Sequence, residues 1–122
     1  VRVLVVEDEA MVAMLIEDML LEAGCDNIEV CNRLGQAIRL LEGADFDLVI
    51  LDLNLEGELT YPVADILMER GTPFVFATGY GTSMLEGRYA AIPTLQKPFR
   101  PEDVERILND LCGGIGARST TS

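Results

Sequence analysis

Leu48-Val49-Ile50-Leu51-Asp52-Leu53-Asn54 is the stretch on which the reading of this sequence turns. Four apolar residues follow one another without polar alternation, the mark of a strand covered on both faces, and they run directly into a carboxylate. Outward from it, short apolar runs alternate with helical patterns, as in a parallel sheet with helices on either side. Upstream, Val3-Leu4-Val5-Val6 reads as an equally buried first strand. A helix then spans about Ala10 to Ala23 and stops at Gly24, and Ile28, Val30 and Cys31 make a weaker second strand. The next helix carries Ala37, Ile38 and Leu41 on one face and ends at Gly43. Downstream of Asp52, a helix with Pro62 in its first turn directs Val63, Ile66 and Leu67 inward and ends at Gly71. Phe74-Val75-Phe76-Ala77 is the fourth strand. Gly79 to Gly87 is glycine-rich, with a helical signal only around Ser83 to Glu86, and a short fifth strand lies near Pro93 to Leu95. The last helix opens at Pro101, where Glu102 and Asp103 suit the first turn. Its Val104, Ile107, Leu108 and Leu111 recur at the spacing of one buried face. The expectation is one α/β domain over residues 1–112, a doubly wound five-stranded parallel sheet with helices on both faces. A flexible Gly- and Ser/Thr-rich tail or linker follows at 113–122.

Composition narrows the function classes. At 122 residues and 49% hydrophobic content the chain suits a single domain with a real core. No apolar run reaches the ~18 residues of a membrane span, and no basic leader precedes the first strand, so the expected location is cytoplasmic. A net charge of −12, with nine scattered basic residues, argues against direct nucleic-acid binding. Three cysteines without CxxC spacing, and no histidine, argue against a zinc site and against Ser-His or Cys-His nucleophiles.

In open parallel sheets, functional groups collect beyond the carboxyl ends of the strands. There this chain has Glu7, Asp8 and Glu9 after the first strand, Asp52 and Asn54 after the third, Thr78 after the fourth and Lys97 after the fifth. Each has a plainer reading alone: an acidic helix start, a turn aspartate, a strand end, an exposed lysine. Their recurrence at successive strand ends favours a shared site. Three converging carboxylates, Glu7, Asp8 and Asp52, would repel one another and raise each other's pKa unless a cation joined them. All-oxygen ligation suits Mg²⁺, with Mn²⁺ or Ca²⁺ as substitutes. The expected ligands are Asp8, Asp52 and the backbone carbonyl of Asn54, with Glu7 acting directly or through water. A carboxylate beside such an ion can attack a phosphoryl group. Lys97, and either the Thr78 hydroxyl or the N–H after it, could then hold the phosphoryl oxygens.

These residues resemble the receiver domains of two-component response regulators. The resemblance rests on Val3-Leu-Val-Val-Glu-Asp-Glu9, Leu48-Val-Ile-Leu-Asp-Leu-Asn54, Thr78 and Lys97-Pro98, and covers roughly residues 1–111. It implies a flavodoxin-like fold with strand order 2-1-3-4-5 and a phosphoacceptor at Asp52. It also implies an acidic metal pair at Glu7 and Asp8, a switch hydroxyl at Thr78 and a phosphate-binding lysine at Lys97. The implied donor is a sensor histidine kinase or a histidine phosphotransfer protein, and the implied output is a switched surface that engages a downstream protein. The chain would be a monomer or weak homodimer, with self-phosphorylation and autodephosphorylation chemistry rather than ordinary enzymatic turnover. Pro73-Phe-Val-Phe-Ala-Thr-Gly-Tyr80 resembles the PFxFATGY signature of the FAT GUY receivers. One position departs from the common pattern: three residues before the lysine, where most receivers have Tyr or Phe, stands Thr94, which makes Tyr80 the candidate substitute switch. The Met- and Leu-rich first helix is the candidate kinase-docking surface.

The alternative is a Mg²⁺-dependent phosphohydrolase of the haloacid-dehalogenase type. Those enzymes place their nucleophile after the first strand and a general-acid Asp two residues on, whereas Asn54 occupies the second position after Asp52 and cannot serve as that acid. A flavin binder would need a Ser/Thr/Gly-rich phosphate loop where Glu7-Asp8-Glu9 stands.

Overall fold

The computed structural model describes residues 1–79, 85 and 87–112. The element order is β1 (Arg2–Val6), α1 (Ala10–Glu22), β2 (Asn27–Cys31), α2 (Leu34–Gly43), β3 (Leu48–Asp52), β4 (Asn54–Leu55), β5 (Glu58–Leu59), α3 (Tyr61–Arg70), β6 (Phe74–Thr78), β7 (Thr94–Gln96) and α4 (Pro101–Cys112). A short 3-10 turn, Gly87–Tyr89, precedes β7. Five strands form one parallel sheet in the order β2-β1-β3-β6-β7. This is the expected 2-1-3-4-5 order, with β6 and β7 as the fourth and fifth strands of the sheet.

The continuous apolar runs are explained by the two layers that cover the sheet. Val3, Val5, Leu48, Ile50, Val75, Ala77 and Leu95 point to one side, where Ile16 and Leu20 of α1 and Val104, Ile107 and Leu108 of α4 pack on them. Leu4, Val6, Val49, Leu51, Phe74 and Phe76 point to the other, against Ala37 and Leu41 of α2 and Val63, Ala64 and Leu67 of α3. Strand side chains alternate between faces, so a strand buried on both can carry no polar residue until it ends. Every residue of β3 is buried, Asp52 included.

Three details differ from the sequence expectation. The fifth sheet strand begins at Thr94 rather than Pro93, because proline has no N–H to enter the ladder. The Pro93 carbonyl still accepts from Phe76 N at 3.0 Å. The second difference is an antiparallel hairpin, β4–β5, between Asp52 and α3, where only a connection was expected. Its two-residue turn, Glu56-Gly57, has positive φ at both positions (49° and 90°), the turn geometry that matches strand twist. The third is the 3-10 turn, whose Tyr89 ring stacks on Tyr61 of α3 at 4.3 Å. Tyr80, the helical signal at Ser83 to Glu86 (apart from Leu85) and the tail at 113–122 lie outside the described residues. No helix among the described residues is long and apolar enough to cross a membrane.

Candidate functional site

Parallel register makes the strand ends coincide. Val6 is paired with Leu51 and Asp52 with Ala77, while Thr78 is paired with Gln96. Glu7, Asp52, Thr78 and Lys97 therefore leave the same edge of the sheet within two residue steps of each other. Backbone bonds continue the ladder past the strands: Glu7 N donates to Cys31 O at 3.0 Å, Leu53 N to Ala77 O at 2.9 Å and Lys97 N to Thr78 O at 2.8 Å. The Lys97–Pro98 peptide is cis.

Glu7, Asp8 and Asp52 come together as expected, each offering one carboxylate oxygen within 4.8 Å of the others. Glu7 is 2% exposed and Asp52 6%. Each carboxylate has one oxygen held by a backbone N–H. Glu9 N donates to Glu7 Oε2 at 3.0 Å, Glu56 N to Asp8 Oδ2 at 3.0 Å, and Asn54 N to Asp52 Oδ1 at 3.2 Å. Lys97 Nζ approaches two of the remaining oxygens, donating to Asp52 Oδ2 at 3.1 Å and lying 2.6 Å from Glu7 Oε1. Glu7 Oε1 is buried, and the Lys97 ammonium is the charged group in contact with it.

Burial pushes the Glu7 carboxyl up to about 6; Lys97 and the Glu9 N–H pull it down, and the Asp52 charge adds to the rise. For Lys97, burial alone would lower the pKa, but Glu7 and Asp52 outweigh it and hold the ammonium above the ordinary lysine range. The donor set is all oxygen, clustered, partly buried and short of cations, which fits a hard divalent ion such as Mg²⁺. The convergence of three carboxylates within 4.8 Å, with one ammonium shared between two of them, is the observation that favours this fit.

Thr78 is buried at the end of β6. Thr94 is half-buried in β7. Asn54 begins the hairpin, and its side-chain Oδ1 accepts from Gly57 N at 2.8 Å, a role absent from the sequence expectation, which gave Asn54 only a backbone carbonyl. Thr60 was also missed. It is fully buried, and its hydroxyl donates to the Asp52 carbonyl at 2.6 Å, with a second contact to Leu53 O at 3.2 Å. The available signals were a Thr directly before a helix and an Asn three residues before a Gly, both local-turn patterns.

The family model "Response regulator receiver domain" matches residues 3–109. Among solved structures, the chain is similar to SdrG from Sphingomonas melonis Fr1, at 38% identity over 91% of this chain and 95% of that one, with a TM-score of 0.80. It is similar to the BeF3-activated conformation of SdrG from Pseudomonas melonis Fr1, at 37% identity over 90% and 94%, with a TM-score of 0.78. The receiver domain of sensor histidine kinase PA1611 from Pseudomonas aeruginosa PAO1, which has a magnesium ion in its active-site cleft, shares the fold at 24% identity over 93% and 98%, with a TM-score of 0.78. No curated protein matches the chain.

Proposed function

The chain belongs to the response regulator receiver domain family, and from that premise we propose that it is a phosphorelay switch that takes a phosphoryl group onto Asp52. The observation that carries the reading is the meeting of Glu7, Asp8 and Asp52 within 4.8 Å, with Lys97 donating to Asp52 Oδ2. The donor is a phosphohistidine on a sensor kinase or phosphotransfer protein. An Asp52 carboxylate oxygen attacks phosphorus in line, the P–O bond forms as the P–N bond breaks, and the imidazole nitrogen leaves with the bonding pair.

The chain's own groups have distinct tasks. Asn54 N–H orients the Asp52 carboxylate through Oδ1. Lys97, drawn now to Glu7 and Asp52, is positioned to exchange carboxylate contact for a phosphoryl oxygen, and the Thr78 hydroxyl supplies a further donor. Glu7, Asp8, Asp52 and the Asn54 carbonyl would hold Mg²⁺, which when bound neutralises charge on the phosphoryl oxygens. The neighbouring receiver with magnesium in its cleft is consistent with this assignment.

Residues 1–112 form the receiver unit in this reading. Pro73-Phe-Val-Phe-Ala-Thr-Gly-Tyr80 supports placement among the FAT GUY receivers. With Thr94 at the usual aromatic position, the signal leaves through Thr78 and Tyr80 to a downstream protein. The exposed Met11, Met14 and Leu15 on α1, beside the site, form an apolar face suited to the phosphodonor. The chemistry is cytoplasmic signalling without turnover of a free substrate.

The test is incubation with Mg²⁺ and a small phosphodonor, followed by intact-mass measurement. Wild type gains one phosphoryl group, labile in base, and Asp52→Asn gains none. An unmodified wild type with every donor tried, or an adduct that persists in Asp52→Asn, would refute the assignment.

A further inference from the structure

We propose that the β4–β5 hairpin is a clamp that positions Asp8 for the metal, and that the Asn54 side chain and Gly57 are its positioning residues. The inference rests on the metal site proposed above. Three observations converge on it. The Glu56 N–H donates to Asp8 Oδ2 at 3.0 Å across a separation of 48 residues, and Asp8 follows β1 with no strand partner of its own. The turn that aims this N–H is costly: Glu56 has a φ of 49°, the only positive φ at a non-glycine among the described residues, and Gly57 has a φ of 90°. Finally, the turn is pinned by a side chain, since Asn54 Oδ1 accepts from Gly57 N at 2.8 Å.

The clamp assigns separate duties to the two oxygens of Asp8. With Oδ2 held by Glu56 N–H, Oδ1 is the oxygen left for an ion, and the carboxylate plane is fixed before the ion arrives. Glu7 and Asp52 are oriented in the same manner by the N–H groups of Glu9 and Asn54, but those donors lie two residues along the same chain segment. Asp8 alone of the three takes its orienting donor from a different element. Asn54 would therefore act at the site twice: its carbonyl would be a ligand in the proposed site, and its side chain holds the turn that orients Asp8. Outer-shell groups of this kind set ligand direction and, through it, affinity.

Equilibrium Mg²⁺ binding, followed by amide NMR titration without any phosphodonor, tests the clamp. Asn54→Ala removes the cap on Gly57 N while keeping the backbone carbonyl, and is expected to raise the Mg²⁺ dissociation constant roughly tenfold. Asn54→Ser, whose hydroxyl can accept from the same N–H three residues on, is expected to restore most of the loss. Gly57→Ala, which meets no atoms within 4 Å and opposes the turn only through its backbone angle, is expected to weaken binding in the same direction. In metal-free protein, the Glu56 amide is expected to exchange faster in Asp8→Ala than in wild type. Unchanged Mg²⁺ affinity in folded Asn54→Ala and Gly57→Ala overturns the clamp, as does Asn54→Ser binding no better than Asn54→Ala. Failure of wild type to bind Mg²⁺ overturns the clamp and the metal site together. Loss of phosphoryl acceptance with Mg²⁺ binding intact counts against the proposed function alone, so the two readings fail separately.

Discussion

Glu7 is the residue whose ionisation the fold disturbs most visibly near Asp52. Its carboxyl is buried among like charges, and the cation in contact with it among the described residues, Lys97, is shared with Asp52. With a pKa raised from 4.5 to about 6, the folded protein binds this proton more tightly than the unfolded chain does. Stability from Glu7 is thus fully present below pH 4.5 and is lost as pH rises through about 6. The shift corresponds to about 2 kcal/mol, with no discount for solvent screening because the side chain is 1% exposed. In EDTA, urea denaturation of wild type is expected to gain stability between pH 6.5 and 4.5 relative to Glu7→Gln, by an amount on the order of 2 kcal/mol. A Glu7→Gln profile parallel to wild type across that window would show that Glu7 takes up protons equally in the folded and unfolded states. The sequence had pointed to repulsion among Glu7, Asp8 and Asp52. It did not reveal that Lys97 already contacts two of the three.

Among the elements, β3 and α3 are joined more tightly than their separation in sequence suggests. Thr60 precedes α3, and its buried hydroxyl donates to the carbonyl of Asp52 at the end of β3. Thr60→Val keeps the shape and removes the donor. It is expected to cost about 1–2 kcal/mol in chemical denaturation, with the Asp52 and Leu53 amide resonances moving most. A loss below ~0.3 kcal/mol would mean that the contact carries no net stability. Among the described residues, the five sheet strands and the four helices were legible because their residues are decided by burial, which leaves an apolar period of two or 3.6, or an unbroken apolar run. Gly71 likewise ends α3 in the left-handed region, at φ 71°, as its position predicted. The hairpin was not legible. Each of its strands is two residues long, too short for any period, and Glu56 stands where Asn, Asp or Gly would have signalled the turn. The pairing of Tyr89 with Tyr61 and Asp65 was hidden for a related reason: it joins two separate segments at a half-exposed edge, where periodicity carries no information.

At the scale of the molecule, a charge of −12 on 122 residues makes the folded state sensitive to cations in two ways that must be separated. Any salt screens the general repulsion, whereas a divalent ion held by the proposed set of Glu7, Asp8, Asp52 and the Asn54 carbonyl adds a site-specific term. A ligand that binds only the native state, at about tenfold over its dissociation constant, contributes about 1.4 kcal/mol. For a domain of this size that corresponds to a rise of roughly 3–6 °C in Tm. The expected result is a Tm increase of that order in MgCl₂ above the one produced by NaCl at equal ionic strength. Asp8→Asn and Asp52→Asn should keep the NaCl response, which depends on total charge, and lose most of the Mg²⁺ increment, which depends on where three carboxylates meet. Both variants also relieve local repulsion, so each should start from a Tm equal to or above that of metal-free wild type. Equal responses to the two salts in wild type would assign the whole effect to screening and would remove the strand-end carboxylates as the seat of cation binding.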